Sequence, residues 1–141
     1  MSEISSSRRR GVVAVIRRAE SYLVIERSQT VTAPGAFCFP GGGIEDGESE
    51  SDALTRELLE ELAVVNSRPV QCIWRSQSRH DVALAWWLTE IPADAMLTPN
   101  PQEVAAVGFW TPERMLAEDR LLSSNRAFLE AVASGVINRL H

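Results

Sequence analysis

The chain is expected to adopt an α/β fold in which a mixed β-sheet carries helices packed on it. Three observations lead there. β-rich runs lie on both sides of one central segment with helical apolar spacing, two more helical segments close the chain, and no repeat or linker divides it. A length of 141 residues fits one domain able to bury its own core. Residues 1–10 read as a polar, flexible tail and 11–141 as the single domain. No apolar run approaches the roughly 18 residues needed to cross a bilayer, so no membrane partner is expected. Cys38 and Cys72 lack CxxC spacing and read as reduced thiols, which suits a cytoplasmic protein.

Each element has a local reason. Gly11 to Arg18 and Tyr22 to Arg27 are β-rich, and Ala19-Glu20-Ser21 between them suggests a hairpin. Ala36 to Phe39 is a short aromatic strand, which Pro40-Gly41-Gly42-Gly43 should end. Ser49 to Leu62 has helical spacing, with Ser49 as N-cap and Leu54, Leu58 and Leu62 as the core-facing stripe. Val70 to Ser76, Val82 to Ile91 and Val104 to Trp110 read as strands, and Pro92 to Pro101 as a loop. Pro112 to Glu118 and Asn125 to Ser134 read as helices.

Charge singles out the central helix. The formal net charge is −5, yet the window from Glu45 to Glu61 alone sums to −7, with Arg56 its one base. Glu50 and Asp52 fall in the first turn, where the helix dipole favours acids. Glu57, Glu60 and Glu61 fall near the other end, where it does not. They flank the leucine stripe and follow a glycine-rich loop. Two partly buried carboxylates about 5 Å apart repel by roughly 3 kcal/mol at an effective dielectric of 20. Either one is protonated or a cation is bound. Two readings stay open on these grounds: a solvated acidic face, or a site for Mg²⁺ or Mn²⁺, whose preferred ligands are hard oxygens. Zinc does not suit, because no His or Cys lies near.

The spacing Gly42, five residues, Glu48, seven residues, then Arg56-Glu57-Leu58-Leu59-Glu60-Glu61-Leu62-Ala63-Val64 resembles the Nudix box. Every specified position of Gly-x5-Glu-x7-Arg-Glu-U-x-Glu-Glu-x-Gly-U agrees except Ala63, which replaces the last Gly. Phe39-Pro40-Gly41-Gly42 resembles the family's entry into the box, and Glu103, Trp110 and Pro112 its usual strand-then-helix ending. The departure at Ala63 bears on the helix end: the helix should run on a turn and stop at Asn66.

The resemblance implies a Nudix-like α/β/α sandwich with the box as loop–helix–loop. It implies metal-dependent hydrolysis of a nucleoside diphosphate linked to another moiety, by water attack on phosphorus, with Mg²⁺ or Mn²⁺ as cofactor. By position, Glu57, Glu60, Glu61 and the Gly41 carbonyl would be metal ligands. Arg56 would orient Glu57, while Glu48 and Gly42 would act in support. Glu60 or Glu103 would accept the proton. Partial signatures of coenzyme A, ADP-ribose and dinucleoside polyphosphate hydrolases are each incomplete, which leaves a nucleoside triphosphate or related small nucleotide as default. The alternatives are a catalytically idle nucleotide-binding module, or an RNA-end pyrophosphohydrolase using the Arg8–Arg10 tail; nucleic acid is otherwise not an expected partner. A homodimer stands as the assembly to test. Arg27 and Arg79, beside His80, are assigned to substrate phosphates or a base, against a plain surface role. Trp86 and Trp87 face opposite sides of one strand, so one belongs in the core, and Trp86 is assigned to stacking on a base.

Overall fold

A computed structural model describes residues 9–138 and Leu140. Most of the expected flexible tail lies outside the described residues. Its last member does not belong to a tail: β1 runs Arg10–Val15, because the Arg10 carbonyl accepts from Ile44 N–H at 3.0 Å and Arg10 pairs with Ala83.

The strands form two sheets rather than one. In the first, β1 is flanked on one side by β5 (Gly41–Gly43), antiparallel, and on the other by β7 (Ala83–Glu90), parallel; β6 (Arg68–Gln77) completes the order β5-β1-β7-β6. In the second, β3 (Ser21–Arg27) pairs antiparallel with β2 (Arg17–Arg18), β4 (Phe37–Cys38) and β8 (Val104–Trp110). The stretch expected as one hairpin arm therefore divides at Ile16. Only β2 and β3 form the hairpin, through a two-residue turn with Ala19 at φ 55°.

Helices cover both faces of this strand layer, as side-chain alternation dictates. Val12 and Ala14 of β1, with Leu23 and Ile25 of β3, pack with Leu54, Leu58 and Leu62 of α1 (Glu50–Leu62). Val13, Val15, Tyr22 and Val24 point the other way, toward Met115 of α2 (Pro112–Leu116) and Phe128 and Leu129 of α3 (Ser123–Ala133). The result is the expected α/β/α sandwich. Trp86 belongs to this second core: it is 0% exposed and stacks on Phe128 with ring centroids 4.8 Å apart. Its stacking on a substrate base is thereby ruled out.

Two local expectations are corrected where the box meets the fold. The glycines after Pro40 do not end strand structure but form β5, lying directly on β1. A Cβ at Gly41 would overlap the Val12 carbonyl oxygen, so the bare backbone is what permits the pairing. The central helix does not run on to Asn66. It stops at Leu62, and Ala63 takes the left-handed conformation at φ 56°. Ala63 N–H donates to Leu59 C=O at 3.0 Å and Val64 N–H to Leu58 C=O at 3.2 Å, while the Val64 side chain is buried with Leu58. That closure offsets a backbone cost of roughly 1–2 kcal/mol for a residue with a Cβ.

Candidate active site

The front of α1 is fully answered. Ser49 Oγ accepts from Asp52 N–H at 3.1 Å and caps the helix. Glu50 accepts from Arg75 at 2.9 Å and from Trp87 Nε1 at 2.9 Å, and the Arg75 hydrogen bonds lower its pKa. Glu48 takes a bidentate pair from Arg56, Nε at 2.6 Å and Nη2 at 2.9 Å, which holds its carboxyl down at about 2. The same guanidinium donates to the Gly43 carbonyl at 2.9 Å, and to Glu57 and Glu60 at 3.2 Å each. Arg56 thus ties the glycine strand to the helix and fixes one oxygen of Glu57.

The back of α1 is different. Glu57 is 9% exposed and Glu61 5%, and each offers an oxygen within 4.8 Å of the other and of Glu103. Burial pushes Glu57 up to about 7, against the pull of Arg56. Burial, and then the charge of Glu57, push Glu61 up to about 8, although Gly41 N–H donates to its Oε1 at 3.1 Å. Gly42 makes the arrangement sterically possible, because a Cβ there would overlap the Glu57 carboxylate.

Glu103 arrives through the loop that finishes the helix. Thr98 N–H donates to Leu62 C=O at 2.9 Å and Asn100 N–H to Glu61 C=O at 2.8 Å, satisfying carbonyls the helix end leaves free. Glu103 N–H then donates to Asn100 C=O at 2.9 Å and its carbonyl accepts from Ser28 N–H at 3.0 Å. These bonds set Glu103 at the entry to β8, beside the helix.

The third member of the cluster is therefore Glu103. Glu60, expected among the ligands, has a side chain 46% exposed and turned to the rim, where Arg56 holds it. Arg27 is near enough to Glu61 for its charge to favour the carboxylate, and its Nε donates to the Thr32 carbonyl at 2.7 Å. Arg79 is exposed in the turn before β7. The glycines of β5 border a cavity of about 300 Å³, lined by Arg9, Arg10, Arg27, Phe39 and Asn125 among others. Asn125 was legible only as a helix residue. It is 3% exposed, and its Oδ1 accepts from Phe39 N–H at 2.9 Å, which no local pattern announces.

Two buried carboxylates pushed toward the protonated form, with a half-buried third against them, fit a hard divalent cation better than they fit each other. No His or Cys belongs to the group. Glu57, Glu61 and Glu103 are the residues that could hold the ion, with the glycine cavity alongside for its ligand.

Comparison with known proteins bears on the family and the fold. A model of the NUDIX domain matches residues 7–132. Nudix hydrolase 25 of Arabidopsis thaliana is 50% identical over 40 residues, 28% of this chain and 23% of that protein, so the match spans about a quarter of the relative's length. Among solved structures, the MutT protein from Methanosarcina mazei Go1 superposes with a TM-score of 0.73 at 21% identity, covering 91% of this chain and 94% of that one. The E. coli ORF135 protein gives 0.68 at 27% identity, covering 89% of each. An ADP-ribose pyrophosphatase from Streptococcus suis gives 0.68 at 18% identity, covering 90% and 88%. In the described residues no helix is long and apolar enough to cross a membrane.

Proposed function

The chain belongs to the Nudix family, and from that premise we propose that it is a divalent-cation-dependent hydrolase of the diphosphate linkage in a small nucleotide. The class of substrate is a nucleoside triphosphate or a related nucleoside diphosphate derivative. The observation that carries the reading is the cluster of buried Glu57 and Glu61 with half-buried Glu103, set against a glycine strand that borders an arginine-lined cavity.

Mg²⁺ or Mn²⁺ held there supplies charge neutralisation for the diphosphate and a lowered pKa for bound water. The chain's own residues do the rest. Arg56, itself anchored on Glu48, keeps Glu57 turned to the cluster. Gly41 N–H does the same for Glu61. Arg9, Arg10 and Arg27 line the cavity where substrate phosphates would lie. A carboxylate oxygen accepts the proton of the attacking water, and Glu60 and Glu103 are the two candidates. They separate cleanly: loss of the base flattens the pH profile of kcat, whereas loss of a ligand weakens cation affinity. With Glu103 in the cluster, Glu60 at the rim is the better placed to act without holding the ion.

Cys38 and Cys72 are free thiols, in keeping with a cytoplasmic location as part of the same proposal. The test is a hydrolysis screen with Mg²⁺ and Mn²⁺ over nucleoside triphosphates, ADP-ribose, NADH, coenzyme A, dinucleoside polyphosphates and capped RNA. Turnover of at least one small nucleotide, lost in Glu61→Gln, supports the reading. Tight nucleotide binding with no turnover of any diphosphate would replace it with an idle binding module.

A further inference from the structure

A second cavity, of about 520 Å³, opens beside the first, and Arg27 lines both. Its other cationic walls are Arg79, beside His80 in the turn before β7, and Arg120, beside Asp119 in the loop before α3. Four arginines meet at this end of the molecule, and among the described residues Arg9, Arg10, Arg27 and Arg79 make no ion pair, while Arg120 does. Arg27 spends its guanidinium on the neutral Thr32, so its charge is oriented but not neutralised. On a chain with net charge −5, this lines two adjoining cavities with arginines of which Arg9, Arg10, Arg27 and Arg79 have no ion-pair partner among the described residues.

The carboxylate cluster and the glycine cavity account for one diphosphate. They leave the second cavity without an occupant. We propose that it binds a phosphate monoester carried by the substrate away from the linkage that is cleaved, so that the substrates this protein selects are nucleotides with an additional phosphate on the ribose. This rests on the reading that the nucleotide lies along Gly41–Gly43. The guanidinium forks of Arg27 and Arg79 match the several acceptor oxygens of a monoester, and the dianion matches their charge. The groove does not continue as a track for a polymer. Asp119 lines its far end, and Arg120 there is shared with Glu118 at 3.4 Å and Glu26 at 3.9 Å. A longer polyanion would run onto these acids, which favours a small nucleotide over an RNA end.

The test needs no turnover. Adenosine 5′-monophosphate, adenosine 2′,5′-bisphosphate and adenosine 3′,5′-bisphosphate are titrated into the full chain with Mg²⁺ by calorimetry. At least one bisphosphate should bind about ten-fold more tightly than the monophosphate, the value of one charge-assisted site. That gain should shrink with added salt and fall below about two-fold in Arg79→Ala, an exposed side chain whose removal disturbs no packing. Glu61→Gln should keep the gain, which separates this site from the cation cluster. Equal affinity for all three, no binding of any, or a gain that survives both Arg79→Ala and Arg120→Ala would overturn the proposal. A 5′-triphosphorylated oligonucleotide binding through Arg79 more tightly than either bisphosphate would also overturn it, in favour of an RNA end.

Discussion

The acidic segment around α1 holds two groups of glutamates that differ only in what surrounds them. At its front, Glu48 and Glu50 each face an arginine, and both carboxyls are held below their ordinary range. At its back, Glu57 and Glu61 lie beside the leucine stripe with Glu103 against them, and both are pushed up, to about 7 and about 8. The front acids complete the fold: Glu48 clamps Arg56, and Glu50 pins Arg75 and Trp87. The back acids are a cost to the fold, and one added divalent charge would remove it. Identical side chains two turns apart thus serve opposite ends, and the net charge of the segment conceals the difference.

The contrast is broken most sharply by substituting one member of each group. Glu61→Gln should lower kcat by about three orders of magnitude, the scale of several kcal/mol of lost charge stabilisation. It should leave the metal-free Tm unchanged or higher, because a buried carboxylate without its own cation has gone. Glu48→Gln should do the reverse, lowering Tm while costing less activity, since Arg56 loses half of its anchoring pair. Steady-state kinetics and thermal melts on both variants decide it; equal effects on both measures would erase the distinction.

Next in size is the response to metal. Saturating Mg²⁺ should raise the Tm of the wild type, by about 2.7 kcal/mol of stability at a hundred-fold excess over Kd. Glu61→Gln should show little of this rise. A shift of the same size in the variant would place the cation elsewhere.

The pH dependence sharpens the contrast in the metal-free protein. Glu57 and Glu61 have folded-state pKa values above the 4.5 of the unfolded chain. Their contribution is therefore fully present below about 4.5 and lost as pH rises through about 7 and 8. Glu48 runs the other way, its contribution present above 4.5 and lost as pH falls toward about 2. Melts in chelator across this range should show a stability decline on both sides. Glu61→Gln should flatten the alkaline limb alone.

The smallest effect concerns backbone. Ala63→Gly should stabilise the protein by about 0.5–1 kcal/mol, because glycine takes the left-handed cap without a Cβ penalty. Activity should stay unchanged, since no carboxylate moves. A destabilised variant would mean that the Ala63 methyl contributes packing not evident from its exposed position.

Local physics made the helix and its cap readable from sequence: Ser49, the leucine stripe and the acids that break the dipole rule all act within a few residues. β8 was legible to the residue because Val104 to Trp110 is an uncharged run with Val, Phe and Trp, bounded by Glu103 before it and Pro112 after it. What was not legible depends on partners distant in the chain. Gly41 to Gly43 read as a strand ending because nothing nearby shows that β1 will approach their bare backbone. The break at Ile16 is a choice between two sheets, made by tertiary pairing. Alternation told that Trp86 and Trp87 face opposite ways, but Phe128, more than 40 residues on, decides which is buried. Glu103 comes beside Glu57 and Glu61 through the Thr98–Asn100 loop on the helix end, a contact no local pattern announces, while Glu60 lies at the rim against Arg56.

The central claim is that Glu57, Glu61 and Glu103 form a seat for a divalent cation. Titration of Mn²⁺ followed by electron paramagnetic resonance tests it directly, because only free Mn²⁺ gives the sharp six-line signal. The wild type should take up Mn²⁺ tightly, and Glu61→Gln and Glu103→Gln should each bind it at least ten-fold more weakly, with Glu48→Gln close to wild type. Wild-type affinity in both Glu61→Gln and Glu103→Gln would contradict the account.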